Sequence, residues 1–94
     1  MPDPDIASQL AGLFRNTSDA HHDAFRDTNG DDPEWPIWYA DYLFASIRKL
    51  TKLKFTKSEL IGFLVIVDED YRQKSPQTEW AQYYAEAFLR TFKS

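Results

Sequence analysis

Two eleven-residue strings, Glu34–Phe44 and Glu79–Leu89, constrain this chain more than anything else in it. Each reads Glu-Trp, two residues, a paired aromatic, Ala, an acid, then large apolar positions. A second match precedes each string: Ser8-Gln9-Leu10-Ala11-Gly12-Leu13-Phe14 aligns with Ser58-Glu59-Leu60-Ile61-Gly62-Phe63-Leu64. The offset is 50 between the first strings (Ser8 to Ser58) and 45 between the second (Glu34 to Glu79). The first half therefore carries five extra residues, most simply in the turn around Asn29-Gly30-Asp31. An antiparallel helix pair cannot bury its apolar stripe alone, and a second copy stacked on it closes the core. The expectation is an all-α, four-helix domain made of two repeated antiparallel helical hairpins with pseudo-two-fold symmetry. The hairpins span about residues 3–50 and 56–93, joined by a linker at about 51–55.

At 94 residues the chain is one small domain that buries roughly two-thirds of its unfolded surface. Seven Phe, five Tyr and three Trp are many for this length and should dominate its core. Cysteine is absent, which excludes disulfides, a thiolate nucleophile and Cys-based zinc sites. No apolar run is long enough to span a bilayer, and the acidic, Pro-containing start lacks a signal-peptide pattern. The sequence thus implies a cytoplasmic protein without a membrane partner. Its formal charge of −4 argues against nucleic acid as the main partner.

Along the chain, Asp3, Pro4 and Asp5 read as a helix opening. Ile6, Leu10, Leu13/Phe14, Thr17, His21 and Ala24/Phe25 form one stripe, in phase across the weak interruption Asn16-Thr17-Ser18. Asp27-Thr28-Asn29-Gly30 ends this helix, with Gly30 suited to a left-handed closure. Asp32 caps the second helix, followed by Pro33 at its first position. Trp35, Tyr39, Tyr42, Leu43, Ser46 and Leu50 share one face of it, while Ile37 and Phe44 lie opposite. Leu60–Val67 alone could be a buried strand, but Thr56-Lys57-Ser58-Glu59 is a capping box flanked by Phe55 and Leu60 and decides for helix. Leu60, Phe63, Leu64, Val67 and Tyr71 point inward, with Ile61 and Val65 widening that stripe. Ser75-Pro76 repeats the cap-then-proline opening before the fourth helix. Gly12 and Gly62, each costing roughly 1 kcal/mol inside a helix, mark close backbone approach where helices cross.

The chemistry is sparse. His21 and His22 are the only imidazoles. His21 falls on the apolar face, where a hydrogen-bonded, partly buried ring is the usual outcome. Asp19-Ala20-His21-His22 has the acid-x-x-His spacing of di-iron bundles, yet its counterpart is Glu69-Asp70-Tyr71-Arg72. Arg72 in place of an imidazole excludes a symmetric two-metal site. A single mixed site using His21, His22, Asp19, Asp27 and Asp31 stays open. Asp27–Asp32 superficially suggests a calcium loop, but its Gly is fourth rather than sixth and Trp38 stands where a bidentate Glu is needed. No nucleophile elbow and no Gly-rich phosphate loop is present, so no cofactor and no catalytic residue are expected. Arg48, Lys49, Lys52, Lys54 and Lys57 form a small basic patch, explained by the C-terminal end of the second helix.

Ala20-His21-His22-Asp23-Ala24-Phe25 followed by Trp35-Pro36-Ile37-Trp38-Tyr39-Ala40-Asp41-Tyr42-Leu43 resembles a group of small bacterial all-helical proteins. The resemblance covers most of the chain and implies a bacterial source, without an activity. The reading favoured by the sequence is a non-enzymatic helical interaction module, binding a protein partner or itself through Ile37, Phe44, Ile61 and Val65. The alternative is a small-molecule or single-metal binding protein, with an enzyme still open, using His21, His22 and the neighbouring aromatics.

Overall fold

The structure is a computed structural model that describes residues 6–93. The helix opening read at Asp3, Pro4 and Asp5 lies outside the described residues. Four α-helices follow in order: α1 (Ile6–Ala24), α2 (Trp35–Thr51), α3 (Lys57–Lys74) and α4 (Trp80–Phe92). No strand occurs among the described residues.

α1 runs unbroken through Asn16–Ser18, and Thr17, fully buried, satisfies its hydroxyl on the Leu13 carbonyl at 2.7 Å. It closes at Ala24, and a single 3-10 turn, Arg26–Thr28, follows. Asn29 (φ 58°) and Gly30 (φ 84°) are both left-handed, and the Gly30 amide returns to the Phe25 carbonyl at 2.8 Å. Glycine suits this reversal because it carries no Cβ penalty there.

α2 starts at Trp35 rather than Pro33. The Asp32 carboxylate accepts the Glu34 amide (3.0 Å) and the Asp32 carbonyl accepts the Trp35 amide (3.1 Å), making a separate turn before the helix. At its far end, Lys52 (φ 61°) closes the helix on the Arg48 carbonyl. α3 opens on the expected capping box: the Glu59 amide donates to Thr56 Oγ1 (3.0 Å), and the Thr56 amide to Glu59 Oε1 (2.8 Å). Phe55 and Leu60, the staple pair, are both buried.

Ser75-Pro76 does not open α4. Ser75 is the left-handed closing residue of α3 (φ 43°), its amide bonded to the Tyr71 carbonyl at 2.9 Å. Proline disfavours helix in the residue before it, so the dipeptide stops α3 instead. α4 begins four residues later behind Glu79, whose carboxylate takes both arms of the Arg15 guanidinium at 2.6 and 3.1 Å. Those hydrogen bonds hold the Glu79 carboxyl below its usual range.

α1 and α3 each pack against both α2 and α4, so α2 and α4 lie across the bundle from one another. Leu10, Phe14, Leu43, Ile47, Leu60, Leu64 and Phe88 fill the centre. The inward face of α2 is Ala40, Leu43 and Ile47; Tyr42 and Ser46, expected on that face, are exposed. At one end of the bundle Phe88 meets Phe55, Phe63 and Phe92 at ring separations of 4.6–5.4 Å. Gly12 and Gly62 are not crossing points: a Cβ at either would meet nothing within 4 Å.

Candidate functional site

The opposite end of the bundle is where the polar side chains gather. There the C-terminal halves of α1 and α3 meet the first turns of α2 and α4, around an open cleft of about 610 Å³. One wall is Ser18, His21 and His22 of α1, the turn Asn29–Asp32, and Trp35 and Tyr39 of α2. Facing it are Asp68, Tyr71 and Arg72 of α3 with Trp80 and Tyr84 of α4.

His21 is the best-determined group in this cleft. It is 6% exposed, stacks on Phe25 at 4.6 Å and takes the edge of Trp38 at 5.0 Å. Nε2 lies 3.0 Å from Asp32 Oδ2, and both side chains are about nine-tenths shielded. A carboxylate can only accept, so Nε2–H is the donor. Asp32 therefore does two jobs: one oxygen caps the Glu34 amide and the other fixes the imidazole. His21 and Asp32 are eleven residues apart, a contact that helical periodicity does not reveal.

Across the cleft, Tyr84 donates its phenol to Asp68 Oδ1 at 3.0 Å, and Arg72 Nε sits 3.1 Å from the other Asp68 oxygen. Burial first, then the Asp68 charge, pushes the Tyr84 phenol far above its ordinary value. Burial also raises Tyr39, partly opposed by the Ser18 hydroxyl. Neutral phenols thus persist through the physiological range on both walls. Tyr71 reaches out of α3 to donate to the Thr78 carbonyl at 3.2 Å.

The other sequence candidates scatter. His22 is exposed and lays its ring over Gly30, where a Cβ would come within 2.9 Å of Nδ1. Asp31 lines the cleft, whereas Asp19 and Asp27 are exposed away from its lining. Among the described residues no three His, Asp or Glu side chains are grouped so as to hold a metal ion. Of the apolar candidates, Ile37 (48% exposed) and Val65 (41%) remain at the surface. Phe44 and Ile61 are instead half-buried and packed on the core, Phe44 meeting Phe55 edge-on at 5.5 Å. Arg48 and Lys57 of the basic patch cover the Phe44 ring, and Lys57 pairs with Asp41 at 2.9 Å. Lys49, Lys52 and Lys54 are exposed.

Sequence reasoning missed Asp68, Arg72, Trp80 and Tyr84 as members of one site. The sequence signal that groups them is the match between the two halves, which aligns His21 with Tyr71 and His22 with Arg72. Among the described residues, no helix is long and apolar enough to cross a membrane.

Fold and site together define an all-α, four-helix protein with an open aromatic and carboxylate-lined cleft at one end. No protein-family model, curated protein or solved structure matches the chain.

Proposed function

We propose that this is a small-molecule-binding protein built from a duplicated helical hairpin, and that its ligand sits in the cleft the two halves share. The observation that carries the reading is how the cleft lining pairs off under the repeat. Shifting α1 by 50 and α2 by 45 residues takes Ser18 to Asp68, His21 to Tyr71, His22 to Arg72, Trp35 to Trp80 and Tyr39 to Tyr84. All ten line the cleft. The geometry follows the same correspondence. Trp35–Tyr39 rings are 5.2 Å apart at 80°, and Trp80–Tyr84 rings 5.2 Å apart at 83°. His21–Trp38 (5.0 Å) corresponds to Tyr71–Tyr83 (5.2 Å). In the core, Leu10 and Leu60, Phe14 and Leu64, Ala40 and Ala85, and Leu43 and Phe88 are matched pairs, each essentially fully buried.

A cleft on a pseudo-two-fold axis receives one wall from each copy. Substituting the residues of one wall then makes an asymmetric site from a symmetric scaffold. Here the substitutions are chemical ones: His for Tyr at 21/71, Ser for Asp at 18/68. A volume of this size with aromatic walls and few convergent polar groups is the usual setting for a small ligand. No redox or group-transfer chemistry is assigned.

The test is NMR of the three indole N–H signals while the small-molecule fraction of a cell extract is added. Trp35 and Trp80 are expected to shift, and Trp38, outside the lining, to stay. An extract that moves none of the three contradicts the reading.

A second reading, self-association or a protein partner, keeps one specific observation. Ile66 is 69% exposed beside Val65 on α3, two consecutive β-branched apolar residues in water. A molecule that sediments as a monomer at high concentration, with Ile66→Glu leaving it unchanged, removes the self-association form.

A further inference from the structure

The cleft's polar groups are unevenly divided by sign. Asp31, Asp32 and Asp68 bring three carboxylates against one guanidinium, Arg72, which already rests on Asp68. Asp31 is exposed at the rim and forms no ion pair among the described residues. An anion entering here would meet the unpaired Asp31 carboxylate, with Arg72 already engaged. A cation would meet a lining with three carboxylates to one guanidinium, bordered by the aromatic residues Trp35, Tyr39, Trp80 and Tyr84.

His21 adds a directional element. Nδ1 makes no hydrogen bond, and no buried side-chain nitrogen or oxygen among the described residues is left without a partner. His21 is among the residues that line the cleft. Its ring is held in place by Asp32 through Nε2. The Tyr84 oxygen, its proton committed to Asp68, can accept. Donors line the space too, on Ser18, Asn29, Tyr39, Arg72 and the Trp35 and Trp80 indoles, so the sign of the ligand follows from the charge of the lining and not from its hydrogen-bonding inventory. The cleft is also larger than an ammonium group needs, and two T-shaped Trp–Tyr pairs border it.

We infer that the ligand is a small organic ammonium ion carrying a flat apolar body. Its N–H groups meet the Asp31 carboxylate at the rim, and its body lies against Trp35 and Trp80. This rests on the reading that the cleft holds a small molecule, and it names the class.

Three probes of the same ring and chain length separate the class from the site: phenethylamine, phenethyl alcohol and phenylacetate, added at matched ionic strength. Indole N–H shifts at Trp35 and Trp80 report binding, with Trp38 as the internal control. The ammonium is expected to bind about tenfold more tightly than the alcohol, and phenylacetate more weakly than either. Asp31→Asn should narrow the ammonium preference about threefold without changing the alcohol. Equal binding of alcohol and ammonium, or tightest binding of phenylacetate, overturns the ammonium inference while leaving the cleft as the site. No shift from any probe also overturns it, and the shared-cleft reading is then decided by the extract titration alone. An Asp31→Asn protein that keeps the full preference contradicts the role given to that carboxylate.

Discussion

The two halves of this molecule solve one local problem in different ways. Near the end of α1 a ring at position 21 reaches toward the following loop, and near the end of α3 a ring at position 71 does the same. His21 bonds the Asp32 carboxylate with both side chains about nine-tenths shielded, whereas Tyr71 bonds the Thr78 carbonyl at an exposed site. Both tie a loop to a helix end. Only the first places an ionisable pair out of water. The lesson is that the clasp is a scaffold feature, while its imidazole version is what gives one wall of the cleft a chemical identity. A neutral Tyr would have held the loop at lower risk.

The largest expected effect breaks that comparison directly. Asp32→Ala strands a shielded imidazole nitrogen and removes the cap on Glu34, so it should cost about 2–3 kcal/mol in urea unfolding. Tyr71→Phe, losing an exposed neutral bond, should cost about 1 kcal/mol or less. Equal costs would mean that the two clasps are energetically alike and the contrast is only geometric.

The facing phenols sharpen it next. Tyr84 and Tyr39 both titrate above their ordinary value in the fold, Tyr84 much further. A folded value raised above the unfolded one contributes stability that is intact below about pH 10 and lost as pH climbs past it. Thermal midpoints should fall between about pH 9 and pH 11, and the fall should be shallower in Tyr84→Phe than in Tyr39→Phe. The reverse order would place the more strongly shielded phenol on the wrong wall.

The smallest effect concerns Gly12 and Gly62, which the proposed repeat makes equivalent. Both face open space, so alanine at either should stabilise by about 0.5–1 kcal/mol through helix propensity and the unfolded chain. A loss at one and a gain at the other would show that the two helices differ in a way their backbones do not reveal.

How much of this was readable in the residues depends on whether the signal was local. The capping box at Thr56–Glu59 fixed the start of α3 because both of its hydrogen bonds close within three residues. Helix number, and the continuity of α1 through Thr17, followed from periodicity. The inward face of α2 did not. Large aromatics set its phase in the sequence, yet Tyr42 is exposed and stacks on Trp38 (5.4 Å), while small Ala40 is fully buried. A small residue marks where helices come closest, and hydropathy ranks it low. The same bias made Ile37, Phe44, Ile61 and Val65 look like one surplus face, although two of them pack on the core and Ile66 is the most exposed.

The cleft was hidden for a different reason. His21 was legible as a hydrogen-bonded ring, but Asp32 looked fully occupied as a cap. Asp68, Arg72, Trp80 and Tyr84 become a site only when helix ends 50 residues apart are brought together. That is tertiary information, which helical periodicity does not carry.

The claim beneath all of this is that both hairpins build one site. Following the Trp35 indole signal during a phenethylamine titration of Trp80→Ala tests it, with the Trp38 signal certifying the fold. The account predicts that the shift at Trp35 weakens by about tenfold in affinity although the substitution lies in the other half. Undiminished binding at Trp35 would mean that the two walls act separately, and the shared cleft would be contradicted.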